Sequence, residues 1–540
     1  MSVAVLDFEN LSRDSSDVYL SQGLAEELTS QLGQVGRLTV TSRAVVRRLH
    51  DVVAMSVPEI GHALNVTYLL NGSLRRSGTR LRVTAELLRA NTGAQVWSSQ
   101  YDQSTQDLLA IQEAVAAAVA AAVAGRLLPA ERATLAARPT RNTAAYEAYL
   151  RGRALYRVQQ TTSDATEAVA LFERAVALDS SFAAAWAGLS ILQSSMFWNY
   201  RDRSDERLAK ARAAAERAAA LAPNASAAHV ALGYYHYWGS RDYARALQEF
   251  SAALAAQPND PEVHAALANV ARRQGSWERS LASRSRAIEL DPGDGQEFAT
   301  RGETLALLRR FDEAEPDYER ALAVAPNLSF THGYRAQLVL ARDGSFDRAR
   351  ASVESLAVHA QAVVTLQAPG GGLPVWRVAG PHQAAILRAH PAASPEERAA
   401  YYLTVGEVLA AQGRRLESGA AFDSLRGIVQ DLLRLRSADD GLHGILARAY
   451  RGLGRCDDAL REAEHSVALL PVAVDALDGP EHVQNLAEIE AACGRPEQAI
   501  DHVVYLLSIP SYLTGPLLRA DPVWAPLRGN PRFERLIAGN

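Results

Sequence analysis

GQEFATRGETLALLRRFDEAEPDYERALAVAP, Gly295 to Pro326, is the stretch that decides the fold. It divides into two helical segments. Gly302 and Leu305 fall in the first, Ala314, Tyr318 and Ala321 in the second, and Pro326 closes the unit. Closing prolines recur at Pro223, Pro258, Pro292 and Pro326, with spacings of 35, 34 and 34 residues. The inner positions repeat with them. From Ser226, with one inserted residue, they are Leu232, Gly233, Ala246, Phe250 and Ala253; from Pro261 they are Leu267, Ala268 and Ala287. Small residues at the eighth, twentieth and twenty-seventh places let two helices approach closely, and larger neighbours fill the gaps. A hairpin this short cannot hide its apolar side alone, so it must stack on copies of itself.

A period of about 34 residues is the tetratricopeptide (TPR) length. Working outward, less regular units flank the clear ones. Ala145 to Ser180 carries Gly152, Ala168, Phe172 and Ala175. Ala183 to Asn224 carries Trp186, Ala211, Ala218 and Pro223, with an insertion at Asn199 to Arg207. Ser329 to about Ala360 begins well and decays. Residues 366–395 are rich in Pro and Gly, and Gly370 to Gly372 read as flexible linker. Helical signals resume near Ala399, with Gly406, Gly413 and Phe422, then Ala447, Tyr450, Gly454, Ala459 and Pro471, then Gly494 and Ala499. Leu517 to Phe533 reads as a cap, because the last repeat exposes an apolar face. The expected organisation is a first stack over 145–362, a break over 363–397, and a second stack with its cap over 398–540.

Upstream the pattern differs. Val3 to Phe8 is a strand-like run, and Val18, Leu20, Leu24, Leu28 and Leu32 have helical spacing. Leu38 to Thr41 is a short strand; Pro58 opens a short helix with Ser56 as its cap. Tyr68 to Arg76 and Leu81 to Arg89 form a hairpin across Ser77-Gly78-Thr79, and Gln95 to Tyr101 follows as a third antiparallel strand. Asp107 to Arg126 is an Ala-rich helix, and 127–144, with Pro129 and Pro139, is a linker. The fold class is therefore an N-terminal α/β domain with a mixed sheet over 1–126, followed by an all-α TPR solenoid in two stacks.

Val3-Ala-Val-Leu-Asp-Phe-Glu-Asn-Leu-Ser12 resembles the opening of the TolB amino-terminal-like (FlgO-related) domain. Gly23-Leu-Ala-Glu-Glu-Leu28, Tyr68-Leu-Leu-Asn-Gly-Ser-Leu-Arg75 and Thr92-Gly-Ala-Gln-Val-Trp97 extend the resemblance. Such a domain followed by TPRs is similar to the sensory or interaction half of bacterial multidomain regulators. The resemblance implies an output domain elsewhere: a serine/threonine kinase, an adenylate cyclase or a winged-helix DNA-binding domain, often beyond a membrane helix. This sequence starts directly at the first strand.

Composition bounds the rest. Of 540 residues, 48% are hydrophobic, enough for substantial burial. The net charge of −5, from 56 basic and 61 acidic residues, gives no drive toward nucleic acid or a membrane surface. Two cysteines, Cys456 and Cys493, exclude a disulfide-dense scaffold or a Cys-rich zinc fold. They fall in adjacent repeats and are read either as a single disulfide or as two small core residues. Met1 to Phe8 lacks the basic start of a signal peptide. The run Ala114 to Ala124 is well short of the roughly 20 residues that span a bilayer. A cytoplasmic protein is expected from the chain as written, and an extracytoplasmic one if it is part of a membrane-anchored regulator.

No phosphate loop of the GxxxxGK[ST] type, HExxH helix or GxSxG elbow occurs in the sequence. The expectation is a non-enzymatic chain with no cofactor and no metal. His229, His264, His332 and His443 each take the fourth place of a repeat and read as packing residues. Arg43, Arg47, Arg48, Arg75, Arg76, Arg80 and Arg82 lack interleaved aromatics and read as a solvated face. The candidate site is the groove lined by each repeat's first helix. It comprises Tyr146, Tyr149, Arg153 and Tyr156 in the first repeat, Trp198 in the second, Tyr234, Tyr237 and Trp238 in the third, and Asn269, Arg272 and Arg273 in the fourth. Aromatics and arginine dominate binding hot spots, and Asn with Arg suits a peptide carboxylate. The same aromatics could instead pack between neighbouring helices. The expected function is a scaffold or adaptor that binds a protein or peptide segment in this groove. The alternative is the regulatory half of a kinase, cyclase or winged-helix regulator.

Overall fold

The computed structural model describes residues 1–12, 14, 17–41, 45–46, 55–104, 108–136, 138–158, 162–199, 202–326, 328–353 and 394–538. The chain forms two compact units, Met1–Val270 with Ser283–Asp294, and Ala271–Ala282 with Gly295–Asn540.

The first unit opens with a mixed sheet. Its strands are β1 (Ser2–Val5), β2 (Glu9–Asn10), β3 (Thr39–Val40), β4 (Tyr68–Ser77), β5 (Arg80–Arg89) and β6 (Gln95–Ser104), in the order β3-β1-β4-β5-β6, with β2 beside β4. β1 runs parallel to β3 and β4; β4, β5 and β6 are antiparallel. The alternation of side chains in β1 sorts them to two faces. Val3 and Val5 pack with Leu20, Leu24, Leu28 and Leu32 of α1 (Val18–Gly33). Ala4 and Leu6 pack instead with Ile60 and Leu64, in and just after α2 (Val57–Ala63). Ser56 N–H donates to Glu59 Oε2 at 2.7 Å, the reciprocal half of a capping box. β2 is the element the sequence pattern does not show, because two residues carry no periodicity. α3 (Leu108–Ala124) lays Ile111, Val115, Val119 and Val123 on the α1 face, and α4 (Pro129–Ala136) lies within the expected linker.

Helical hairpins follow. In the first unit they are α5 (Thr143–Val158) with α6 (Thr162–Leu178), α7 (Ala183–Trp198) with α8 (Asp205–Leu221), and α9 (Ser226–Tyr234) with α10 (Tyr243–Ala256). α11 (Pro261–Arg273) and α12 (Trp277–Leu290) come next. The second unit then holds α13 (Gly295–Leu307) with α14 (Phe311–Val324), α15 (Ser329–Asp343) with α16 (Phe346–Val353), α17 (Pro395–Ala411) with α18 (Arg415–Leu435), and α19 (Asp440–Gly452) with α20 (Cys456–Leu469). α21 (Gly479–Ala492) with α22 (Pro496–Ser508) precedes α23 (Gly515–Ala520), a 3-10 turn at Pro522–Leu527 and α24 (Pro531–Ala538). Gly370 to Gly372 lie outside the described residues.

The eighth-place glycines show why the repeat requires them. A Cβ at Gly302 would sit 2.7 Å from Tyr318 Cε1, at Gly233 2.5 Å from Phe250 Cε1, and at Gly406 2.8 Å from Phe422 Cε1. The second helix presses an aromatic ring onto the backbone of the first, and only glycine leaves room.

In the second unit the chain end does more than cap α22. Trp524 and Phe533 are buried in one cluster with Leu305, Leu338, Leu340 and Val503. Ser511 N–H donates to Leu307 O at 3.1 Å, Arg309 to Ile509 O at 3.0 Å, and Thr514 Oγ1 to Ala341 O. The terminal segment thus returns to α13 and α15. Cys456 and Cys493 are joined in a disulfide with a Cα separation of 5.5 Å, linking the start of α20 to the end of α21.

Candidate functional site

The first-helix face of the first unit begins on α5, where the outcome departs from an open groove. Tyr146 is fully buried and Tyr149 nearly so. Tyr146 donates through its hydroxyl to Gln112 Oε1 of α3 at 2.7 Å, and burial pushes that hydroxyl's pKa far up. Tyr149 packs its ring 4.9 Å from Phe182 and 6.0 Å from Phe172. Helix α1 lies directly on this face. A Cβ at Gly23 would meet Leu150 Cδ2 at 2.8 Å, Arg153 pairs with Glu26 and Glu27, and Arg151 stands 4.7 Å over the Tyr19 ring. Tyr146, Tyr149 and Arg153 therefore join the α/β domain to the repeats, because two apolar surfaces made from one chain bury each other. This domain–repeat contact is not legible from the repeat spacing.

Beyond α5 the face carries partly exposed aromatics. Tyr156, Phe197, Trp198, Tyr234 and Trp238 are all half-buried, whereas Tyr237 is buried. The inserted residue of the third repeat has a local cause and a local effect. It is absorbed as a π-helical turn, Tyr235–Gly239, directly after α9. Such turns rotate the side chains that follow and often sit at functional sites. Here the turn brings Tyr237 to 5.5 Å from Trp198 and stacks Trp238 on Tyr234 at 4.0 Å. Arg203, from the insertion after α7, covers Phe197 at 5.0 Å. Asp260 caps α11 by accepting from Glu262 N at 2.9 Å and Val263 N at 3.3 Å. Burial, with the Glu262 charge beside it, pushes its carboxyl up to about 6. Burial pushes the Tyr234 hydroxyl far up, reinforced by Tyr156, Glu262 and Asp260.

The expected carboxylate clamp is already engaged within the chain. Asn269 accepts from Arg284 Nη2 at 2.6 Å. Arg272 pairs with Glu303 at 2.6 Å. Arg273, 6% exposed, pairs with Asp475 at 2.7 Å and Asp478 at 2.6 Å. The carboxylates that the arginines hold are thus the protein's own, more than 200 residues away in sequence for Arg273. Burying an arginine demands such partners.

The fourth-place histidines are held separately. His229 Nδ1 is 2.7 Å from Glu249, His264 Nε2 3.1 Å from Pro258 O, His332 Nδ1 3.0 Å from Ser352 O, and His443 Nδ1 2.6 Å from Glu462. Arg80 and Arg82 both pair with Asp102 across the sheet, and Arg76 with Asp17. Arg43, Arg47 and Arg48 lie outside the described residues.

One constellation has no sequence signal, because it draws on three separate helices. Ser466 Oγ lies 2.9 Å from His482 Nδ1, and His482 Nε2 lies 3.1 Å from Asp440 Oδ2. The residue types are those of a nucleophilic triad. Ser466, however, is fully buried and donates to Asp440 O at 2.8 Å. Its hydroxyl is committed to joining α19, α20 and α21, with no open side toward a substrate. Nearby, Glu407 pairs with Arg448 and Arg451, and Arg451 reaches Glu488 at 3.6 Å, tying α17, α19 and α21 together along their first-helix faces.

No protein-family profile matches the chain. A protein of Rhizobium meliloti (strain 1021) named "Putative adenylate cyclase 3" is 30% identical over 202 residues, 37% of this chain. The shared segment spans only 33% of that relative's length. Among solved structures, the TPR protein TTC0263 of Thermus thermophilus is 20% identical, covering 36% of this chain and 100% of its own, with a TM-score of 0.32. The human IFIT1 dimer with m7Gppp-AAAA is 14% identical over 67% of this chain and 77% of its own, with a TM-score of 0.37. Both scores are low, and the repeat architecture rests on the hairpins themselves: an α/β domain with a mixed sheet, then stacked helical pairs of TPR length. No helix among the described residues is long and apolar enough to cross a membrane.

Proposed function

We propose that this chain is a non-enzymatic interaction scaffold that receives an extended segment of a partner protein on the first-helix face of its first unit. The observation that carries the reading is the set of half-buried rings Tyr156, Trp198, Tyr234 and Trp238, two of which, Tyr234 and Trp238, stack at the π-turn while Trp198 meets its Tyr237. Each ring is partly buried within its own unit and partly exposed. A partner segment would cover the exposed part, and large rigid aromatics lose little entropy when they bind. The binding residues are then these four, with Asp260 at the margin, rather than the buried Tyr146, Tyr149 and Tyr237 or the internally paired Arg153, Asn269, Arg272 and Arg273. The proposed domain partition is 1–126 as a TolB amino-terminal-like module, then repeats over 145–362 and 398–540, with 354–393 and 539–540 lying outside the described residues. The test is side-by-side affinity capture with the wild type and a Trp198→Ala, Trp238→Ala variant. The variant should lose specific partners while keeping its helical circular dichroism; equal capture by both would refute the reading.

A second reading rests on the relative from Rhizobium meliloti. A segment shared with a protein of that name fits the regulatory part of a signalling enzyme, with this chain supplying recognition and another segment the output. Sequencing the genomic region upstream of Met1 tests it. An in-frame cyclase, kinase or winged-helix segment would favour this second reading, and a stop codon ahead of Met1 would favour the stand-alone scaffold.

A further inference from the structure

β6 ends the sheet. β5 pairs along one side of it, and among the described residues no strand pairs along the other. The direction of its backbone groups follows from the ladder. Arg89 N–H donates to Ala94 O at 2.8 Å, and the register shifts once, between Leu87 and Leu88. Bonded and non-bonded pairs alternate in an antiparallel ladder. Trp97, Ser99 and Tyr101 therefore bond to β5, and Ser98, Gln100 and Asp102 turn their N–H and C=O groups outward.

Proteins ordinarily blunt a long edge with lysine, proline or a mid-strand bulge. Trp97 to Ser104 contains no Lys or Pro, its single charged residue, Asp102, is paired with Arg80 and Arg82 of β5, and the register shift lies before it. Val96 and Asp102 apart, the side chains of β6 are alike in kind in both directions about Ser99. Trp97 and Tyr101 are equidistant from it, as are Ser98 and Gln100, and Gln95 and Gln103. The two rings sit on the helix-covered face, packed partly buried against the main core of the unit.

We infer that β6 pairs antiparallel with β6 of a second copy of this chain, about a two-fold axis through Ser99. In that register Trp97 of each copy faces Tyr101 of the other, an aromatic cross-strand pair of the kind that stabilises a sheet. Ser98 and Gln100 exchange both backbone bonds. Asp102 falls opposite Val96, so the two Asp102 carboxylates do not oppose each other, and each keeps Arg80 and Arg82 of its own β5 at 2.9 and 2.6 Å. Moving the axis to Ser98, Gln100 or Tyr101 breaks both aromatic pairs, and moving it to Trp97 puts Tyr101 opposite a glycine. A self-complementary patch of this kind closes at two copies. An edge pairing alone buries less than a standard interface, so dissociation on the order of 1–100 μM is expected.

Sedimentation velocity of the full chain across that range should show a monomer–dimer equilibrium. Gln100→Pro removes an outward N–H without touching the β5 ladder, and should raise the dissociation constant at least about tenfold. Ser99→Cys places two thiols on the axis, within disulfide reach, and should give a dimer on a non-reducing gel after mild oxidation. Asp102→Cys, which faces position 96 of the other copy, should not. A wild type that stays monomeric, or a Gln100→Pro variant that dimerises unchanged, would overturn the inference. Should Gln100→Pro fail to fold, the contrast between Ser99→Cys and Asp102→Cys decides: no cross-link from either, or equal cross-linking from both, also overturns it.

Discussion

Replacing Arg273 with alanine separates an internal latch from a partner-binding clamp. Its guanidinium lies 2.7 Å from Asp475 Oδ2 and 2.6 Å from Asp478 Oδ2, and Ala476 N–H donates to Arg273 O at 2.7 Å. Asp475 is fully buried, and its other oxygen accepts from Leu477 N and Asp478 N at 3.0 Å each. Arg273→Ala leaves that carboxylate in the interior without its cation. Removing one member of a buried pair costs about 3–5 kcal/mol. Asp478 is partly exposed and can turn to water, which places the cost near the lower end, about 3 kcal/mol. In a unit of this size, that lowers the melting temperature by about 6–12 °C. Calorimetry reads the shift, and hydrogen exchange locates it, with protection lost across Pro471–Asp478. Arg273→Ala combined with Asp475→Ala should cost less than the two single changes added together, because the pair is then removed whole. A melting temperature within about 2 °C of wild type, with unchanged exchange at Pro471–Asp478, would refute the latch and return Arg273 to the partner groove.

Further outcomes follow from the same contacts. Reducing the Cys456–Cys493 disulfide reopens a segment of 37 residues and should lower stability by up to about 4 kcal/mol; a Cys456→Ser, Cys493→Ser variant should melt like the reduced wild type and ignore dithiothreitol. Gly406→Val drives side-chain atoms into the Phe422 ring and should cost about 1–3 kcal/mol, partly recovered by Phe422→Leu in urea titrations. His502 bonds to Glu490 at 2.8 Å, and that bond raises its pKa above the ordinary 6.5. Its contribution is therefore complete below pH 6.5 and fades as pH rises through the higher folded value. Across that window the wild type should lose more stability than His502→Gln does, and equal losses would refute the linkage.

The repeats were the most legible part, because local spacing alone encodes them. Small residues at the eighth place and the four closing prolines mark where the clearest helix pairs end and touch. The α/β domain was nearly as clear, since the apolar run Val3 to Phe8 and the Ser77–Thr79 turn are short-range features. The aromatic face was half legible. Its residue types stood out, but which rings stay open depends on what covers them. Tyr146 and Tyr149 have the same spacing as a groove residue, and only α1 lying across α5 shows that they are interior.

The kind of unit and its period are encoded locally, because a helix pair is built from neighbours along the chain. Tertiary structure decided everything that joins distant segments. It took Arg273 from a clamp to a latch on Asp475, paired Cys456 with Cys493, and drew Ser466, His482 and Asp440 from three helices into one buried contact. Periodicity specifies which face of a helix is apolar or charged; it carries no record of which remote segment will arrive there to satisfy it.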